Sequence, residues 1–169
     1  MHSRIFQLIP NHLTPEDSDF LTTASLCDSD VPFADYIDDI READLPEEYN
    51  WFKEVHECFQ RIVVKEDGLG HTLVTFKKGC QEEYFRDRWV DLKDKVEALT
   101  LEEFSMIVDK NGAWSYGQLL KVKRLIEDRH GFYAYVDYPV TMDTFIRNLD
   151  FNQQDEYTYH LGGVVDYHF

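Results

Sequence analysis

The stretch RIVVKEDGLGHTLVTF, Arg61–Phe76, decides the fold class. Two runs rich in β-branched and aromatic residues, Arg61–Lys65 and His71–Phe76, flank Glu66-Asp67-Gly68-Leu69-Gly70. Two short strand-forming runs joined by a glycine-containing turn predict a β-hairpin, and therefore an antiparallel sheet.

Outward from the hairpin, helices and strands follow without regular alternation. Toward the N-terminus, Pro46 can open a helix to about Phe59, with Tyr49, Phe52, Val55 or His56, and Phe59 facing inward. Before it, Phe33, Tyr36, Ile37 and Ile40 fall at i, i+3, i+4 and i+7, which predicts a helix over Phe33–Arg41. Ser3–Ile9 reads as a strand stopped by Pro10, and Thr14-Pro15-Glu16-Asp17 as the start of a short helix.

Toward the C-terminus, Phe85, Trp89, Leu92, Val96 and Leu99 mark a long helix over about Gln81–Leu99. Capping boxes at Thr100–Glu103 and Ser115–Gln118 start two more helices, the second closed by His130-Gly131. Phe132–Tyr138 alternates as a strand, and Thr141 caps a helix through Leu149. Glu156–Phe169 reads as strand, with Gly162-Gly163 marking a bulge or a turn between two strands. Such an order predicts one α+β domain over residues 1–169, a mainly antiparallel sheet of about four to six strands covered by several helices.

The chain has 169 residues, 43% hydrophobic and 15% aromatic, enough for a sizeable core. Its 33 acids and 17 bases leave a net charge of −16. Such a charge opposes direct binding to nucleic acid or anionic membranes and favours basic partners. The surplus is uneven: residues 1–60 carry 14 acids and three bases, a net of −11, whereas residues 61–169 carry a net of −5. Cys27, Cys58 and Cys80 are odd in number and widely spaced, which fits a reducing compartment. With no apparent signal peptide or membrane span, the chain is expected to be soluble and cytoplasmic.

Candidate chemistry is sparse. Asp166 and His168 share a strand face, and His160 could join them across the glycine pair, but a zinc site needs three or four converging ligands. No metal and no cofactor is expected. His56-Glu57-Cys58 are neighbours whose side chains diverge on a helix, and no G-x-S-x-G occurs. Lys77-Lys78-Gly79-Cys80 could lower the pKa of Cys80 through nearby positive charge and a helix N-terminus, but the plainer reading is an ordinary cysteine at a helix start. Gly68-Leu69-Gly70 lacks the lysine and following helix of a phosphate loop, and Asp17-Ser18-Asp19 and Asp28-Ser29-Asp30 lack the remaining ligands of a calcium loop. Tyr133, Tyr135, Tyr138, Tyr157 and Tyr159 lack the basic groove of a nucleic-acid binder. No residue is assigned a catalytic role.

The feature above background is acidic. Asp35, Asp38, Asp39, Glu42, Asp44, Glu47 and Glu48 meet one base, Arg41, within fourteen residues. On a helix the first four would form a stripe of carboxylates about 5–6 Å apart, comparable to backbone phosphates. These seven are the candidate partner-binding residues.

Ser3-Arg4-Ile5-Phe6-Gln7, Phe33-Ala34-Asp35-Tyr36, His130-Gly131-Phe132-Tyr133 and Asp166-Tyr167-His168-Phe169 give the chain a resemblance to small, acidic bacterial proteins of the phage and conjugative-element type. In size and acidity it also resembles the ArdA-type antirestriction proteins, which mimic DNA with surface carboxylates. That second likeness is one of physical type, with no shared motif. It implies a non-enzymatic acidic interaction protein whose partner is a basic, nucleic-acid-binding protein, as in inhibition of a restriction or other defence system. The alternative is a small enzyme, or a metal- or ligand-binding protein, with a site near the C-terminal strand. A homodimer seamed by exposed aromatics is a third expectation.

Overall fold

A computed structural model describes residues 2–26, 35–105, 117–127 and 132–168. Its contacts group into two compact units, Met1–Gln81 with Arg129–Phe169, and Glu82–Asp128.

The first unit is built on the predicted α+β pattern. Its strands are β1 (His2–Pro10), β2 (Tyr36–Asp39), β3 (Ile62–Glu66), β4 (Thr72–Lys77), β5 (Phe132–Tyr135), β6 (Pro139–Thr141) and β7 (Glu156–His168). Helix α1 spans Leu45–His56, and 3₁₀ turns form at Pro15–Asp17, Thr23–Ser25 and Glu42–Asp44. The seven strands exceed the expected four to six: six run in the order β3-β4-β7-β1-β5-β6, and β2 pairs with β7 off that path. All pairs are antiparallel except β1 with β5.

At the centre lies β7, 13 residues long. One edge pairs with β1; the other pairs first with β4, through Glu156–His160, and then with β2, through Val165–His168. Between Phe6 and Leu8 of β1 the register slips, because Phe6 faces Val164 while Leu8 faces Leu161. The extra residue is the bulge expected at Gly162-Gly163. Gln7 Oε1 accepts from Gly163 N at 2.8 Å and from Leu21 N at 2.9 Å, while its Nε2 donates to the Asp19 carbonyl. From the other face, the Tyr49 hydroxyl donates to the Gly162 carbonyl at 2.7 Å. Burial pushes that phenol up to about 12, so it remains a donor.

Regular alternation along β1 sorts the two faces. Arg4, Phe6 and Leu8 lie under α1, where Phe6 packs edge-on against the fully buried Phe52 and stacks on Phe132. Ile5, Gln7 and Ile9 face the irregular segment 11–26, with Ile5, Leu21, Tyr133, Val165 and Tyr167 forming one buried cluster. Truncating a buried phenylalanine such as Phe52 typically costs about 3–5 kcal/mol.

The predicted helix over Phe33–Arg41 is not formed. Tyr36–Asp39 is strand β2, Glu42–Asp44 is a 3₁₀ turn, and Phe33 lies outside the described residues. An isolated helix that short is marginal, whereas the open edge of β7 offers a ladder of backbone partners. Tertiary pairing overrides the 3.6-residue spacing. Likewise Pro15–Asp17 closes only a single 3₁₀ turn, and the strand expected over Phe132–Tyr138 stops at Tyr135.

The Glu82–Asp128 unit is helical. Helix α2 (Cys80–Ala98) enters it, followed by α3 (Leu101–Ser105) and α4 (Gly117–Ile126). The apolar row on α2 is present, yet Trp89 is 60% and Val96 50% exposed. Part of each capping signal at Ser115-Tyr116 and His130-Gly131 lies outside the described residues. Back in the first unit, α5 (Met142–Asn148) begins as expected, with Thr141 Oγ1 accepting from Thr144 N at 3.1 Å.

A Cβ placed on Gly163 would lie 2.7 Å from Leu21 N and closer still to its carbonyl oxygen. Gly163→Ala should therefore destabilise the fold by about 1–3 kcal/mol, measured by urea unfolding. Gly68→Ala, whose Cβ would meet nothing within 4 Å, should change stability by less than about 1 kcal/mol. Equal effects would remove the bulge from its structural role.

Candidate functional site

Strand β2 splits the acidic segment instead of aligning it. Alternation sends Tyr36 and Asp38 to one face and Ile37 and Asp39 to the other. Asp39 binds Thr23 N at 2.6 Å and its hydroxyl at 3.2 Å, holding a 3₁₀ turn. Asp44 pairs with Arg41 at 2.6 Å. Glu48 accepts from Arg4 Nε and Nη2 at 2.8 and 2.9 Å, a bidentate pair, while Arg4 Nη1 donates to Asp166. Asp39 and Glu48 thus tie separate segments together, whereas Asp44 makes only a local, exposed pair. The remaining four, Asp35, Asp38, Glu42 and Glu47, are exposed. Asp35 approaches His168 Nδ1 at 3.9 Å, and Asp38 accepts from the backbone N–H of Asp39. Among the described residues Glu42 and Glu47 make no ion pair.

The C-terminal candidates are separated by the bulge. Asp166 faces Arg4 across the ladder, and His168 stacks on Tyr36 at 5.4 Å, both on the α1 side. His160 faces Ile9, on the opposite side of the sheet. Counting by twos along an unbroken strand would put all three together; the extra residue reverses the alternation.

His160 instead meets residues from two other segments. The hairpin turn is tied by Asp67, whose Oδ1 accepts from Leu69 N at 2.7 Å and His71 N at 2.9 Å. Gly70 takes φ 91°, a left-handed conformation that favours glycine. That geometry turns His71 back over the turn, its Nδ1 3.1 Å from Asp67 Oδ2. Its Nε2 lies 2.8 Å from Glu16 Oε1, delivered by the Pro15–Asp17 turn. Since Leu73 pairs with His160, His71 falls beside His160, the two rings edge to face at 5.5 Å. Asp67, His71 and His160 each present a ligand atom within 4.8 Å of the others.

The electrostatics pull the two imidazoles apart. The bond to Glu16, then the bond to Asp67, raises the pKa of His71. Desolvation, reinforced by the charge of His71, lowers that of His160. The Asp67 carboxyl is lowered chiefly by the His71 N–H it accepts, and Glu16 chiefly by its own backbone N–H. His160 is 6% exposed, and its Nδ1 has no hydrogen-bond partner among the described residues. An unpartnered buried polar group typically costs about 1–3 kcal/mol. The cluster escapes a sequence reading because Glu16 and His71 are 55 positions apart; Asp67 and His71 at the ends of one hairpin turn are its only local trace.

The remaining candidates serve structure. His56 is buried, bonded through Nδ1 to the Phe52 carbonyl and stacked on the Phe52 ring, and its pKa is lowered by burial. Cys80 is fully buried, without the access a reactive thiol needs. Among the described residues no helix is long and apolar enough to cross a membrane.

In a proton NMR titration, His71 should change charge above the ordinary histidine value of about 6.5, and His160 and His56 below it. His71 then stabilises the fold at pH below that value, a contribution lost as pH rises through its raised pKa; His160 and His56 act oppositely, weakening the fold as pH falls below about 6.5. Coincident titration of His71 and His160 would remove the charge separation inferred for the cluster. The chain matches no family model, no curated protein and no solved structure.

Proposed function

We propose that this protein is a non-enzymatic interaction protein that presents an acidic surface to a basic partner. The observation that carries this reading is the set of exposed carboxylates Asp35, Asp38, Glu42 and Glu47, within a region of net charge −11. Exposed like charges repel one another, and a cationic partner supplies a compensation that one backbone N–H at Asp38 and a long contact from Asp35 to His168 do not. In its sharpest form the partner is a nucleic-acid-binding protein, such as a restriction or defence nuclease, whose basic groove the carboxylates occupy. Strand β2 removes the phosphate-like helical stripe, so this form rests on charge density rather than on matched spacing.

The combined variant Asp35→Asn, Asp38→Asn, Glu42→Gln, Glu47→Gln should retain the wild-type melting temperature. It should lose capture of a basic DNA-binding protein in a pull-down at low salt. Wild-type capture should fall steeply as salt rises. Glu48→Gln should lower stability by about 1–3 kcal/mol, because it weakens the pair with Arg4. Release of the captured protein by duplex DNA supports the groove-occupying form, and insensitivity to DNA rejects that form alone. Undiminished capture by the four-fold variant would overturn the acidic-surface reading.

A further inference from the structure

We propose that Asp67, His71 and His160 form a binding site for a divalent transition metal of the zinc class, with Glu16 as the outer carboxylate that orients His71. This inference is independent of the acidic-surface reading.

Ion pairing alone explains part of the cluster. Glu16, His71 and Asp67 form a carboxylate–imidazole–carboxylate row with contacts of 2.8 and 3.1 Å. It leaves His160 without a purpose. That residue sits mid-strand between Ile9 and Leu73, where an apolar side chain would fill the same position. Its ring is more than nine-tenths buried, and its Nδ1 is unpartnered. A buried imidazole nitrogen without a partner, beside a carboxylate and a second imidazole, is a set of donors suited to a metal cation.

The donor types select the ion. Two imidazoles and one carboxylate suit zinc, cobalt, nickel or iron(II), whereas magnesium and calcium prefer all-oxygen shells. Bonds of about 2.0–2.2 Å to a tetrahedral ion bring ligand atoms to within about 3.5 Å of one another. The present 4.8 Å limit closes to that separation by modest side-chain rotation. With the metal replacing any proton at Nδ1, on the Asp67 side of His71, and that proton released to solvent, the Nε2–H continues to donate to Glu16. That is the carboxylate–histidine–metal arrangement by which outer carboxylates orient imidazole ligands. Asp67 keeps Oδ1 on the turn and offers Oδ2 to the ion. Three protein ligands leave one position open to water.

Metal-stripped protein titrated with zinc chloride by calorimetry should bind one equivalent. Cobalt(II) in its place should give visible d–d absorption, and millimolar magnesium should not compete. Zinc should shift the imidazole resonances of His71 and His160 together. Asp67→Asn keeps the carboxamide oxygen that accepts the turn N–H groups but removes the charge; it should weaken zinc binding at least about tenfold, as should His160→Gln. Glu16→Gln should weaken it about tenfold while leaving both resonances responsive. The variant neutralised at Asp35, Asp38, Glu42 and Glu47 should bind zinc like the wild type, which separates this site from the acidic surface. Should His160→Gln fail to fold by circular dichroism, Asp67→Asn at the half-buried end of the cluster decides. Absence of saturable zinc binding overturns the proposal, as does binding that Asp67→Asn leaves intact.

Discussion

The carboxamide of Gln7 joins its own strand to two other segments, residues 19–21 and the bulge of β7. It accepts from the bulge of β7 and from Leu21, and donates to the Asp19 carbonyl. Each of those groups would otherwise be a buried or half-buried polar atom needing a partner. The same bulge lets β7 serve two strands on one edge, β4 before the glycines and β2 after them. Because one extra residue reverses the alternation of a strand, it also decides which side chains can meet. Asp166 and His168 go to the α1 face and His160 to the other. The two polar features of the sheet, an arginine network and an imidazole cluster, are separated by this single irregularity.

On the α1 face, Arg4 is the point at which the negative charge is brought under control. Its guanidinium spans Glu48 of α1 and Asp166 of β7 and lies 5.8 Å above the Trp51 ring. Across the ladder Asp166 also faces Asp38, an opposition of like charges that destabilises a sheet unless a cation stands nearby. The side chains of Arg4, Glu48 and Asp166 are 19, 13 and 16% exposed, so their interaction is screened less than a surface pair. Arg4 and Arg41 are thus both engaged in ion pairs. What remains at the surface of residues 35–48 is net negative.

Local signals were legible and non-local ones were not. The hairpin, the Pro46 helix start and the Thr141 cap depend on residues within a few positions, and all form. The α+β class follows from them. The 33–41 segment reads as a helix because its apolar residues recur at i, i+3, i+4 and i+7, but its structure is settled by the free edge of β7, more than 120 positions away. The glycine pair could be recognised as a bulge or a turn; its consequence for His160 could not, since alternation is counted from pairing partners. The seven-acid segment was legible as charge and illegible as geometry. Asp39 and Glu48 find partners that no spacing rule anticipates. On α2 the apolar row forms at the expected period, yet Trp89 and Val96 stay exposed, because periodicity shows which residues share a side and not what covers them.

The imidazole cluster and the acidic surplus belong to one electrostatic argument. A field from a net charge of −16 raises the local concentration of any cation, protons and metal ions alike. Exposed carboxylates do not choose among them, since each is free to be solvated or screened. Choice requires donors whose geometry is held by something other than the ion. Backbone ladders to Ile9 and Leu73 fix His160, and an Asx-type turn fixes Asp67 and, through it, His71. The scaffold therefore meets the desolvation of His160 whether or not a cation arrives. An ion entering the cluster would meet an imidazole already stripped of water.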